Sequence, residues 1–268
     1  MIAQGHATES DITDEPHTLD AFHRGNFHLV QPASRGHRAG MDAMMLAACI
    51  PSTFSGHIAD LGAGSGAAGL AAISRCMQAH VTLVENSGEM ARFARRTIEH
   101  EANTRIHGRA KLLVADVALT GKARVAAGLA DNRFDYALMN PPFNAAVDRA
   151  SPDALRRAAH VMDDDLFERW LRTAAAIVRP RGGLGLIARP QSLPAILTAM
   201  EGRFGNAQIM PVLPRPSENA IRIIVRAVLG SRAPLSLMPP LILHGDTGEG
   251  LSERADTICN GKASLFGD

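Results

Sequence analysis

Cysteine, lysine and large aromatics are scarce in this 268-residue chain, and each scarcity closes off a class of protein. Cys49, Cys76 and Cys259 are the only cysteines. They are too few and too far apart for a disulfide framework or for the close cysteine pairs of a zinc site. The eleven histidines contain no H-x-x-x-H or H-E-x-x-H spacing, so no metal is expected. No stretch approaches the roughly 18 uncharged apolar residues that a membrane helix needs. The first twenty residues also lack a basic start followed by an apolar run. The expectation is a protein that is neither secreted nor membrane-associated, working in the cytoplasm. With 46% hydrophobic and 21% charged residues, extended disorder is excluded, and the length suits one large α/β domain or two small ones.

Charge is unevenly placed. Residues 1–20 hold Glu9, Asp11, Asp14, Glu15 and Asp20 and no Lys or Arg, which leaves 28 basic against 22 acidic groups in the rest of the chain. Lys111, Lys122 and Lys262 are the only lysines, so the basic residues are almost all Arg. A guanidinium can grip a phosphate with two parallel hydrogen bonds, so the Arg-rich body is compatible with a nucleic-acid substrate. A net of +6 is nonetheless modest for a dedicated nucleic-acid binder.

Apolar runs alternate with helix-period stretches along most of the chain. HIADLGAGSG (57–66) reads as a buried strand running into a glycine turn, and 67–77 as the helix after it. Strands follow at 80–85, 110–116, 133–140 and 182–189, with helices at 87–103, about 163–178 and 193–202. AQIMPVLP (207–214) and AIRIIVRAVLG (220–230) have no helix-length stretch between them, so they form an antiparallel pair. The fold class expected is α/β: a Rossmann-like, doubly wound, seven-stranded, mostly parallel sheet with a C-terminal antiparallel hairpin. The domain reading is a flexible acidic tail over 1–22, one catalytic domain over 23–250 and a polar C-terminal tail over 251–268.

Two motifs carry chemistry. Asp60-Leu61-Gly62-Ala63-Gly64-Ser65-Gly66 stands at a strand end, where glycines allow a left-handed turn and let a ligand approach the backbone. Gly64, Gly66 and Gly69 with Glu85 one strand later also fit a dinucleotide fingerprint, so a nicotinamide oxidoreductase is an alternative. The carboxylate of Asp60 repels a pyrophosphate and suits a ligand bearing an ammonium group, which describes S-adenosylmethionine. Asn140-Pro141-Pro142-Phe143 follows the fourth strand. There the Asn140 amide oxygen and the Pro141 carbonyl can accept both hydrogens of a planar NH₂ group, and Phe143 offers a face for the ring that bears it.

Together these residues resemble the class I S-adenosylmethionine-dependent methyltransferases that methylate amino groups, whose signature is [DNS]-P-P-[YFW]. More narrowly the chain resembles the bacterial tRNA (adenine-N6)-methyltransferases that modify the adenine 3′ of the anticodon in a valine tRNA. The resemblance runs over about residues 25–250. It includes Gln31-Pro32 and Gly36-His37-Arg38-Ala39-Gly40-Met41-Asp42-Ala43, where His37 and Gly40 depart from the usual Tyr or Phe and Ser or Thr. It implies that Asp60, Gly62, Ala63 and Gly64 hold the methionine part of the cofactor and Glu85 the ribose. Asp116 would lie by the adenine, with Arg38 and Asp42 bordering the pocket. Asn140, Pro141, Pro142 and Phe143 would form the catalytic clamp. The cofactor implied is S-adenosylmethionine, leaving as S-adenosylhomocysteine, and the partner implied is tRNA. Methylation of a protein glutamine, methylation of DNA adenine, or a non-catalytic module that binds the cofactor remain alternatives. Oligomeric state is not legible.

Overall fold

The computed structural model describes residues 16–33, 39–142, 154–245, 248 and 250–268, with 154–164 given as helical backbone. The chain opens with an antiparallel hairpin, β1 (His17–Phe22) and β2 (Phe27–Pro32), followed by the short helix α1 (Met41–Ala47). The alternating part is β3 (Gly56–Leu61), α2 (Ala67–Arg75), β4 (Ala79–Glu85), α3 (Gly88–Glu99), β5 (Ala110–Val114), α4 (Gly121–Ala126), β6 (Phe134–Met139), α5 (Ala154–Ile177) and β7 (Val178–Ala188). It ends in α6 (Leu193–Met200), β8 (Phe204–Leu213), β9 (Arg222–Leu229), the two-residue strands β10 (Ser236–Leu237) and β11 (Leu241–Ile242), and α7 (Glu253–Cys259).

The main sheet has the order β10-β8-β9-β7-β6-β3-β4-β5, with β11 also pairing β8. Strands β3 to β7 are mutually parallel, and β9 runs antiparallel to both β7 and β8. The expected seven long strands and their late antiparallel pair are therefore present, and β10 and β11 extend the edge at β8. Parallel strands buried on both faces need a helix layer on each side. One layer contains α1, α2, α3 and α7, the other α5 and α6. Burial explains the local choices: every residue of α2 from Ala67 to Ile73 is buried, and α3, capped by the Ser87 hydroxyl accepting from Met90 N, turns Ala91, Phe93 and Ala94 inward.

Three boundaries differ from the sequence reading. The expected tail over 1–22 gives way at His17 to β1, whose residues alternate between exposed and half-buried. The other edge of β2 is completed by side chains: Val30 N donates to Thr97 Oγ1 at 2.9 Å, and Asn103 exchanges two bonds of 2.8 Å with the His28 backbone. Phe27 and Leu29 are fully buried beneath, each contributing about 2 kcal/mol. The expected polar tail over 251–268 contains α7, capped by Ser252, with Ala255, Ile258 and Leu265 in the core. Helix α5 begins at Ala154, earlier than the expected 163.

Helix α1 runs antiparallel to the strands beneath it. Beyond its C-terminal end, Cys49 packs at mid-strand, where its carbonyl accepts from Tyr136 Oη and its Cβ lies 3.2 Å from where a Gly185 Cβ would stand. Arg75, ending α2, donates to the carbonyls of Ala47 and Ile50, so α1 and α2 lie side by side and point the same way. The N-termini of both helices therefore open at the carboxyl edge of the sheet.

Candidate active site

The carboxyl ends of β3 and β6 are neighbours, with chain crossovers leading away from them in opposite directions, which is the switch point where open α/β sheets bind ligands. Leu61 pairs with Met139 on one side and with Val84 on the other. Gly62, Glu85 and Asn140 therefore stand level just past the ladder, about 5 Å apart from strand to strand.

The glycine loop is held as a rigid rim. Gly62 N and Ala63 N both donate to the Val84 carbonyl, and Gly66 N closes a turn on Ala63 O at 2.8 Å. Gly62, Gly64 and Gly66 have φ of +72°, +57° and +98°, the left-handed region that favours glycine. A side chain on Gly62 would stand 2.4 Å from Trp170, and one on Gly66 2.7 Å from Leu83. Gly64 is different: the nearest atom to its vacant Cβ position is Met90 Cε at 3.8 Å. The loop is thus tight on its inner side and open at Gly64.

Two carboxylates brace the loop and the helix that follows it, and a third stands past the neighbouring strand. Glu85, 7% exposed, accepts from Gly64 N and Ser87 N, both at 2.8 Å, and so joins the loop to the start of α3. Asp60, 2% exposed, accepts from Gly69 N at 2.8 Å. Burial pushes the Asp60 carboxyl up to about 7 against the pull of the Gly69 N–H, and the Glu85 charge adds to the rise. Asp60 therefore reaches the first turns of α2 from beneath the loop. Asp116 is exposed just past β5 and closes an Asx turn on Ala118 N at 2.7 Å.

Asn140 presents a different environment. Its Oδ1 is buried and has no hydrogen-bond partner among the described residues. A buried acceptor left unpaired costs roughly 1–3 kcal/mol, so this oxygen has capacity to accept from an incoming donor. Pro141 is buried and Pro142 exposed, while Phe143 lies outside the described residues.

Asp42, in the first turn of α1, meets β9 at the same edge: its Oδ2 accepts from Arg222 Nε at 2.8 Å. Arg38 lies outside the described residues. The structure thus brings Asp60, Gly62, Ala63, Gly64 and Glu85 together around one loop. It sets Asn140 and Pro141 beside that loop, Asp116 past the neighbouring strand end and Asp42 across from it. Sequence reasoning missed Trp170, which walls Gly62, and Arg222. As the only tryptophan, Trp170 offered a signal; Arg222 offered none. Among the described residues there is no group of three His, Cys, Asp or Glu able to hold a metal, and no helix is long and apolar enough to cross a membrane.

Comparison with known proteins adds a second line of evidence. The family model described as methyltransferase small domain matches residues 38–212. A curated protein from Shewanella putrefaciens, named tRNA1(Val) (adenine(37)-N6)-methyltransferase, is 30% identical over 173 residues, which are 65% of this chain and 68% of that protein. A crystal structure of a predicted O-methyltransferase from Agrobacterium tumefaciens is 43% identical with a TM-score of 0.74, covering 84% of this chain and 98% of that one. The fold alone is shared with M. jannaschii TYW2 solved with AdoMet, at 10% identity and a TM-score of 0.51 over 81% of this chain and 87% of that one.

Proposed function

This chain belongs to the methyltransferase small domain family, and from that premise we propose that it transfers a methyl group from S-adenosylmethionine to the exocyclic N6 amine of an adenine in tRNA. The observation that carries the acceptor side is the buried Oδ1 of Asn140, level with Gly62 and without a hydrogen-bond partner among the described residues. An amide oxygen and the adjacent Pro141 carbonyl are two acceptors, which suits an NH₂ group with two hydrogens; a hydroxyl acceptor, with one hydrogen, would leave one of them unpaired.

The cofactor fits the loop on a structural ground: Gly64 leaves open the space that a side chain would fill. When bound, S-adenosylmethionine supplies a methyl group already activated by its positively charged sulfur. Gly62, Ala63 and Gly64 line its methionine part, with Asp60 beneath them and Asp42 at the rim. Glu85 would receive the ribose hydroxyls on the lone pairs its two backbone bonds leave over, and Asp116 would serve the adenine. Asn140 and Pro141 draw on both amine hydrogens, fixing the plane of the NH₂ group and turning its lone pair toward the methyl. Pro142 stiffens the clamp, and Phe143 is assigned the stacking of the target base. A tRNA substrate supports a cytoplasmic location.

Labelled methyl transfer from S-adenosylmethionine to total tRNA of a strain lacking this protein, followed by nucleoside mass spectrometry, tests the reading. N6-methyladenosine is the expected product. Label on a protein glutamine or on DNA adenine, with unlabelled tRNA, would overturn the substrate while leaving the clamp chemistry intact.

A further inference from the structure

Arg222 is 180 residues from Asp42 in sequence and belongs to the antiparallel part of the sheet, outside the 38–212 match. It starts β9, pairing with Val212, and the next residue, Ile223, pairs with Ala188 at the end of β7. This puts Arg222 at the same edge as the glycine loop. Its guanidinium is fixed there on two sides: Nη1 donates to the Ile221 carbonyl at 2.9 Å, and Nε donates to Asp42 Oδ2 at 2.8 Å. Asp42 Oδ1 accepts no hydrogen bond among the described residues.

We propose that Arg222 is a positioning residue: it holds the Asp42 carboxylate at the rim of the donor site so that its second oxygen faces the cationic amino-acid end of the methyl donor. The inference rests on the donor reading above and adds the residue that orients the acid. Three features support it. Helix α1 lies beside α2 with both N-termini at this edge, so Asp42 and the glycine loop share the carboxyl edge of the sheet. The backbone before Asp42 is pinned separately, since Ala39 N donates to Gln31 Oε1 at 2.7 Å and Gln31 Nε2, in the buried Gln31 side chain, donates to Asp20 Oδ2 at 2.7 Å. Backbone and carboxylate are thus anchored independently, one from the hairpin and one from the sheet. Third, the pair keeps 25% and 21% side-chain exposure, so the carboxylate is part-shielded yet still open on one side to a ligand. What the pair provides is a fixed direction for a charge, which a planar guanidinium bound through Nε supplies better than a flexible ammonium.

The test uses the full-length protein and its Arg222→Gln, Arg222→Lys, Asp42→Asn and double Asp42→Asn/Arg222→Gln forms. Calorimetric titration with S-adenosylmethionine, steady-state transfer to tRNA and melting temperature are read on each. Arg222→Gln is expected to weaken donor binding about tenfold and raise the donor KM in step, with kcat at saturating donor within about twofold. Arg222→Lys should recover part of that loss, and the double form should bind no worse than Asp42→Asn alone, because both changes disable one device. Unchanged donor affinity in Arg222→Gln overturns the proposal, as do losses that add in the double form. A fall in melting temperature that tracks the lost affinity through all four variants also overturns it, because that is the pattern of a structural ion pair. If the unmodified protein itself fails to bind S-adenosylmethionine, the donor reading has failed rather than the role of Arg222.

Discussion

The two halves of the proposed site are built in opposite ways. On the donor side, around β3, β4 and β5, each carboxylate is already engaged by backbone: Asp60 by Gly69, Glu85 by Gly64 and Ser87, Asp116 by Ala118. On the proposed acceptor side, after β6, the buried Asn140 Oδ1 has no hydrogen-bond partner among the described residues. A donor pocket used in every turnover gains from being assembled beforehand, because no ordering has to accompany binding. A clamp for an amine gains from staying unpaired until the amine arrives, since its interaction then counts toward transfer. On the proposed function, the backbone-engaged carboxylates of β3 to β5 serve binding and the open amide oxygen after β6 serves transfer.

The sharpest way to break this contrast is Asn140→Ala. Turnover should fall about 10³-fold while S-adenosylmethionine affinity stays nearly unchanged, as read by transfer kinetics beside a donor titration. Equal loss of both would show that Asn140 belongs to the donor half. Next in size is Gly62→Ala, which forces a side chain onto a residue at φ +72° and against Trp170. Destabilisation of about 3 kcal/mol is expected in urea unfolding, and an unchanged midpoint would mean that the loop is not the rigid rim described.

Glu85→Gln removes the charge that strengthens the bonds from Gly64 and Ser87. Donor affinity should drop about tenfold with kcat retained, and a crystal structure of the variant should show the Gly64 turn relaxed. A further effect concerns pH. Asp60 holds its proton in the native state up to about pH 7, whereas an unfolded chain releases it near pH 4. The native state therefore binds more protons between those values, and this group makes stability fall as pH rises through them, by at most about 1.4 kcal/mol per pH unit. His23 acts in the opposite direction: burial, with the Arg75 charge behind it, lowers its pKa to about 4, so its contribution to stability grows as pH rises from about 4 to 6.5. Unfolding of Asp60→Asn against the unmodified protein isolates the Asp60 share, and parallel pH profiles of the two would refute it.

What could be read in the sequence was local chemistry. Glycines at 62, 64 and 66, the acid at 85 and prolines at 141 and 142 announce strand ends because their backbone demands are written in the residue itself. Three features escaped. Strand β1 escaped because its polar, acidic residues sit half-exposed in a hairpin whose anchoring comes from Thr97 and Asn103, some seventy residues on. Arg222 escaped because its partner lies on a helix 180 residues earlier, and no spacing along the chain encodes a contact closed by the sheet. Helix α7 escaped for a third reason: the apolar residues that bury it, Ala255 and Ile258, are too few to stand out among polar neighbours.

The central claim, a donor half complete before any acceptor binds, is tested most directly by calorimetric titration of the free protein with S-adenosylmethionine, with and without tRNA. The account predicts saturable one-to-one binding in the absence of nucleic acid, with an affinity that tRNA leaves within about threefold. Binding that becomes detectable only once tRNA is present would contradict it.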